Sequence, residues 1–153
     1  MTWEQGRATI EQLLHRGELE RVAAQPEFAE RSLELCDTHV TAARSIVEED
    51  PVGALALAYD AARKALTSLL LAQGIRPTRS GGHIAVTEAV SAQLDPPNRI
   101  GRQVDRIRRA RNDNEYPSVD TPSATADDAT DAITVAQEAV RAVRLVLPHL
   151  TPF

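Results

Sequence analysis

Aromatic residues are scarce in this 153-residue chain, at 3% of the sequence. Single-strand nucleic-acid binders that stack successive bases use aromatic platforms, so the scarcity argues against that mode. Cys36 is the only cysteine, which rules out an intramolecular disulfide and removes any thiolate metal cluster. No apolar run approaches the roughly 18 residues needed to span a bilayer. No charged-then-apolar leader stands at the start, which reads Met1-Thr2-Trp3-Glu4-Gln5-Gly6-Arg7. The expectation is a cytoplasmic protein without membrane contact. No stretch alternates with a period of two for long enough to predict a strand.

What is present is helical periodicity. Hydrophobic residues reach 42% and charged residues 25%, the balance of a folded domain. From Phe28 to Glu49, the residues Ala29, Cys36, Val40, Ala43 and Val47 share a stripe. From Pro51 to Gln73, Leu55, Ala58, Ala62, Leu66 and Leu69 do likewise, with Pro51 suited to a first turn and Gly74 to the stop. Further helices are predicted over 82–94 and 98–114. The last runs from Ala126 to Leu147, with Thr125, Asp127 and Asp128 at its start and Pro148 at its end. An N-terminal helix over 2–15 would turn Trp3, Ile10 and Leu14 to one side. Alanine-rich stripes allow close helix approach, and short connections favour antiparallel neighbours. The prediction is an all-α, up-and-down antiparallel bundle of four to five main helices plus an N-terminal helix. It forms a single domain over 1–153, with a core at about 28–147 and a helical extension at 1–25.

Net charge is -5, so the surface as a whole does not attract nucleic acid. Between Arg99 and Arg111, however, six arginines face one acid, Asp105; this window carries +5 and leaves -10 on the remainder. An anionic partner at one place fits that distribution, and so does an ordinary solvated helix face. At about 100° per residue, Ile100, Val104 and Ile107 form an inward seam whose next member is Arg111. Arg99, Arg102, Arg106 and Arg109 fall on another side. A guanidinium on an apolar seam needs a partner: a carboxylate, a dimer groove or a bound anion such as phosphate.

The stretch Arg111-Asn112-Asp113-Asn114-Glu115-Tyr116-Pro117 resembles the signature of HEPN domains, an Arg followed after four to six residues by His. The alanine-rich segment from Ala58 to Leu66 and the Gly74-to-His83 connection into a further helix are similar to the same family, over about residues 28–147. The likeness is to a bacterial, actinobacterial-type branch of unknown activity. It implies a homodimer in which motif arginines from both copies line a shared cleft. In active members the Arg holds the scissile phosphate, and the His serves as acid or base near the 2′-hydroxyl without metal. Here Arg111 and Asn112 match, but Tyr116 stands at the His position. A neutral phenol with a pKa near 10 is a poor proton shuttle at neutral pH.

His83 is a second candidate for proton transfer, beside Gly81 and Gly82, which read either as an anion nest or as a plain turn. Arg76 and Arg79 lie nearby in sequence. The candidate catalytic residues are therefore Arg111, Tyr116 and His83. The candidate ligand-binding residues are Arg111, Asn112, Arg76, Arg79 and Arg109. No metal site or cofactor is expected, because His15, His39 and His149 lack ligand spacing. The leading expectation is an RNA- or nucleotide-binding protein with a degenerate Arg-x4-Tyr motif, of the kind found in a toxin–antitoxin or defence system. The alternatives are a metal-independent ribonuclease and a non-catalytic protein–protein interaction module. A nucleotidyltransferase-like or antitoxin partner would suit the last.

Overall fold

A computed structural model describes residues 4–153. Its elements, in chain order, are α1 (Arg7–His15), β1 (Leu19–Arg21), α2 (Pro26–Ile46), α3 (Pro51–Ala72), β2 (Ile75–Pro77), α4 (Gly82–Leu94), α5 (Ile100–Glu115) and α6 (Ala126–Val146). A 3-10 turn, Leu147–His149, follows. The all-α reading holds, and α2 to α6 each begin within two residues of the predicted start. The N-terminal helix starts later than expected, because Gly6 adopts a left-handed φ of 80° and ends the helix there. Trp3 lies outside the described residues.

α3 explains the architecture. It is apolar around most of its circumference, and Leu55, Ala58, Ala61, Ala62, Leu66 and Leu69 are all buried. A helix of that kind must be surrounded. α2 and α6 flank it on one side, and α4 and α5 pack on another. Its start is fixed by Asp50, whose carboxylate accepts from the Gly53 amide at 2.8 Å. α6 opens with a reciprocal capping box between Thr125 and Asp128. The inward stripe predicted for α5 is observed: Ile100, Val104 and Ile107 are buried.

Two strands were not anticipated. β1 and β2 form a short antiparallel pair, with Glu20 opposite Arg76. At three residues each, they are too short for any alternation to register. The pair ties the N-terminal segment down, so that Ile10, Leu13 and Leu19 join the same apolar core as the bundle.

The α4–α5 corner sets the relative placement of two helices that carry charged side chains. Asp95 accepts from the backbone amides of Ile100 at 2.9 Å and Gly101 at 3.0 Å, capping α5 with a carboxylate. A Cβ on Gly101 would lie 2.8 Å from the Ser91 Cβ, so glycine permits close approach of the two helices here. α5 therefore runs back beside α4, and its C-terminal turns arrive next to the start of α4.

Candidate functional site

Three helices converge on an open cleft of about 700 Å³. α3 contributes Tyr59, Asp60 and Arg63; α5 contributes Arg108, Arg111 and Asn112. The start of α4 contributes Gly81, Gly82, His83 and Ile84. The sequence placed Arg111 at the end of an apolar seam, and there it lies, half-buried, with its guanidinium 5.9 Å from the centre of the Tyr59 ring. It contacts Glu115 at 3.3 Å, one turn on, and donates to the Asn112 side-chain oxygen at 3.3 Å. Glu115 is exposed, and such a pair contributes at most about 1 kcal/mol, so it does not immobilise the arginine. The bond to Asn112 occupies that residue's carbonyl and leaves its NH2 group as the donor.

His83 reaches the same cleft from a different helix. Its ring stands edge-on to Tyr59, with centroids 6.3 Å apart. Partial desolvation, and then the positive charges of Arg63, Arg108 and Arg111, hold its pKa below the ordinary histidine value. The neutral imidazole is thus favoured at neutral pH, as proton acceptance requires. Burial raises the Tyr59 phenol above its usual range, against the opposing pull of the same arginines.

The position of His83 depends on Gly81. A Cβ there would lie 1.9 Å from the Glu18 backbone oxygen, so only glycine lets the turn pass behind β1. α4 has no side-chain cap; its Gly82 amide donates to the Thr78 carbonyl at 3.0 Å, and the His83 and Ile84 amides follow at the cleft edge.

On the α3 side of the cleft, Asp60 binds Arg63 at 2.7 Å and Lys64 at 2.5 Å. Lys64 also contacts His39 Nε2 at 2.8 Å. Burial alone would raise the Asp60 carboxyl, but hydrogen bonds from Lys64 and Arg63 outweigh it and hold it below the usual carboxylate range. Sequence reading singled out none of Tyr59, Asp60, Arg63 or Arg108. The signal was charge placement: Asp60, Arg63 and Lys64 interrupt a helix that is otherwise almost wholly apolar.

The other candidates do not join this cleft. Tyr116 caps the end of α5 and is 78% exposed. Arg109 is exposed and pairs with Asp105 at 2.7 Å. Arg76 pairs across the strands with Glu20 at 2.6 Å, and Arg79 sits exposed in the turn before α4. Within the predicted arginine stripe of α5, Arg106 turns to Asp131 of α6 and Arg109 to Asp105, which also holds Arg108 from outside the stripe. Asn114 serves the fold, because its side-chain oxygen accepts from the Ala124 amide at 2.9 Å and ties the following loop to α5.

Cys36 is buried, and desolvation pushes its thiol up to about 11, which makes it unreactive. Among the described residues, no group of three or more His, Cys, Asp or Glu side chains is gathered for a metal ion. Among the described residues, no helix is long and apolar enough to cross a membrane.

Neither the curated proteins nor the solved structures contain a match to this chain. The family model described as HEPN domain matches residues 29–146, from the first turn of α2 to the end of α6, and includes every residue of the cleft. With the helix order, the arginine at the end of α5 and a family match over most of its length, the chain belongs to the HEPN family.

Proposed function

We propose that this HEPN-family protein binds a phosphate group of RNA or of a nucleotide in the α3–α4–α5 cleft, with Arg111 and Asn112 as principal contacts. The observation that carries this reading is the convergence of Arg63, Arg108 and Arg111 on one open cleft that also holds His83. Guanidinium groups match phosphate oxygens in a bidentate manner, and a partly desolvated site strengthens each contact. The family supports a homodimer, and a toxin–antitoxin or defence setting fits a protein of this kind. Tyr116, at the motif's histidine position, is solvent-exposed and lies outside the lining of this cleft.

The test is binding of short RNA and of nucleotides to the wild type and to Arg111→Ala. A loss of at least about tenfold is expected, in line with removal of a charge-assisted contact. Equal binding by both proteins would remove the site. It would leave a protein–protein interaction module with an antitoxin or nucleotidyltransferase-like partner.

A second reading, metal-independent ribonuclease, is favoured by one observation: a histidine with a depressed pKa shares the cleft with Arg111. His83 would accept the proton of a 2′-hydroxyl while the arginines hold the phosphate. Incubation with RNA in excess chelator, comparing wild type with His83→Ala, decides it. Cleavage that survives in the variant would rule out this role.

A further inference from the structure

A short pattern occurs twice in the sequence, on the two helices that carry the cleft arginines. Asp60-Ala61-Ala62-Arg63-Lys64 in α3 and Asp105-Arg106-Ile107-Arg108-Arg109 in α5 both read Asp-x-x-Arg followed by a second cation. Residues three and four positions along a helix are surface neighbours of the first, so one aspartate can reach both cations. Both helices realise this arrangement. Asp60 Oδ1 accepts from Arg63 at 2.7 Å, and its Oδ2 accepts from Lys64. Asp105 Oδ1 accepts from Arg108 at 2.8 Å, and its Oδ2 meets Arg109 at 2.7 Å. In each cluster the first cation lines the cleft and the second lies outside its lining.

The second cation matters because an Asp–Arg pair by itself is neutral. A carboxylate that fixes an arginine also cancels its charge. Two cations less one carboxylate leave +1 in each cluster. Arg111 differs, because Glu115 answers it one for one at 3.3 Å. The excess positive charge beside the cleft thus traces to Lys64 and Arg109. Both aspartates stay ionised at neutral pH. The hydrogen bond from Arg108 holds Asp105 below the usual carboxylate range, and those from Lys64 and Arg63 do so for Asp60 against its burial. His39 of α2 steadies the α3 cluster: an ammonium has donors only, so His39 Nε2 accepts from Lys64 at 2.8 Å.

Resting on the phosphate-binding reading above, we infer that Lys64 and Arg109 are positioning residues of the cleft, although neither touches the anion. Each takes the second oxygen of an aspartate whose first oxygen fixes a cleft arginine. Arg63 and Arg108 are thereby held in place without losing their charge to the group that holds them. An arginine ordered in advance also gives up less side-chain entropy when an anion arrives.

The unliganded protein gives the first test, through the NMR titration midpoint of the His83 ring. That ring shares its surroundings with Tyr59 and Arg63 of α3, with Asp105, Arg108 and Arg111 of α5, and with Glu88 of its own helix. Lys64→Met leaves Asp60 to neutralise Arg63 and should raise the midpoint by about 0.2 pH unit or more. Arg109→Gln should do the same through Asp105 and Arg108. Lys64→Arg and Arg109→Lys keep the charge and should stay within about 0.1 pH unit of wild type. The Arg109 side chain is 73% exposed, so its variants leave the core untouched. The second test is calorimetric titration of the full chain with inorganic phosphate. Lys64→Met and Arg109→Gln should each bind it about two- to fourfold more weakly. Adding Asp60→Asn to the first, or Asp105→Asn to the second, should return affinity to the wild-type value. Midpoints unmoved by the two charge-removing variants would overturn the proposal, whatever the phosphate result. So would a loss of affinity that the added asparagine does not restore, since Lys64 or Arg109 would then be a direct contact or a structural prop. If the midpoints move as expected but wild type and Arg111→Ala bind phosphate equally, the charge sharing stands and only the phosphate-binding reading fails.

Discussion

Arg111 lies over the face of Tyr59, with its guanidinium carbon 5.9 Å from the ring centre. The ring is almost fully buried, so it is a fixed platform for a side chain that would otherwise sample many rotamers. Tyr59→Phe keeps the platform and should leave phosphate affinity within about twofold of wild type. Tyr59→Leu removes it, and a cation–π contact of roughly 0.5–2 kcal/mol predicts a loss of about two- to thirtyfold. Calorimetry on both variants checks this. Equal losses would point to the hydroxyl instead.

His83 should titrate below 6.5, because partial burial and three arginines disfavour its charged form. As pH falls below 6.5, the unfolded chain takes up this proton before the native one does. This group therefore stabilises the fold above 6.5, and that contribution is lost as pH drops toward the lower native value. Nitrogen-resolved NMR of the imidazole gives the midpoint. Arg63→Gln should move it upward, and bound phosphate should do the same. A midpoint at or above 6.5 in the unliganded protein would contradict the described electrostatics.

Gly81 and Gly82 make a paired prediction. Gly81→Ala drives a Cβ into the Glu18 carbonyl and must displace the start of α4. Gly82 has a φ of 52° but open space around its would-be Cβ, so alanine there costs only backbone strain of roughly 1–2 kcal/mol. Denaturant unfolding should rank Gly81→Ala well below Gly82→Ala. The first should also shift the His83 ring resonances. Similar stabilities would mean that the turn can rearrange.

Gln73 and Gln93 are both buried and exchange amide hydrogen bonds at 2.6 and 3.0 Å. Gln93→Met orphans the Gln73 amide, and the cost should be about 1–3 kcal/mol. The double variant, Met at both positions, should cost less than the single. Chemical denaturation of wild type, both singles and the double provides the cycle. Additive losses would show that the pair acts independently.

The bundle was legible because its signals are long. The α2, α3 and α6 stripes each repeat over five or six turns, and Thr125 with Asp128 marks a start by chemistry alone. The strand pair was not legible, because three residues carry no period and the pairing depends on where two loops meet. At the site, Arg111 was visible as a charge on an apolar seam, and His83 as a histidine beside paired glycines. Their meeting was not, since it follows from α5 doubling back along α4. Arg76 and Arg79 are near His83 in sequence, yet the turn carries them away from the cleft. Tyr116 matched the motif by count, but α5 ends there and the ring faces solvent.

The Asp95 carboxylate and the Gly101–Ser91 contact clamp α4 to α5 at their joined end, opposite the mouth formed by His83 and Arg111. The separation of His83 and Arg111 across the mouth is therefore referred back to one carboxylate and one glycine at the far end of the two helices, which neither side chain touches.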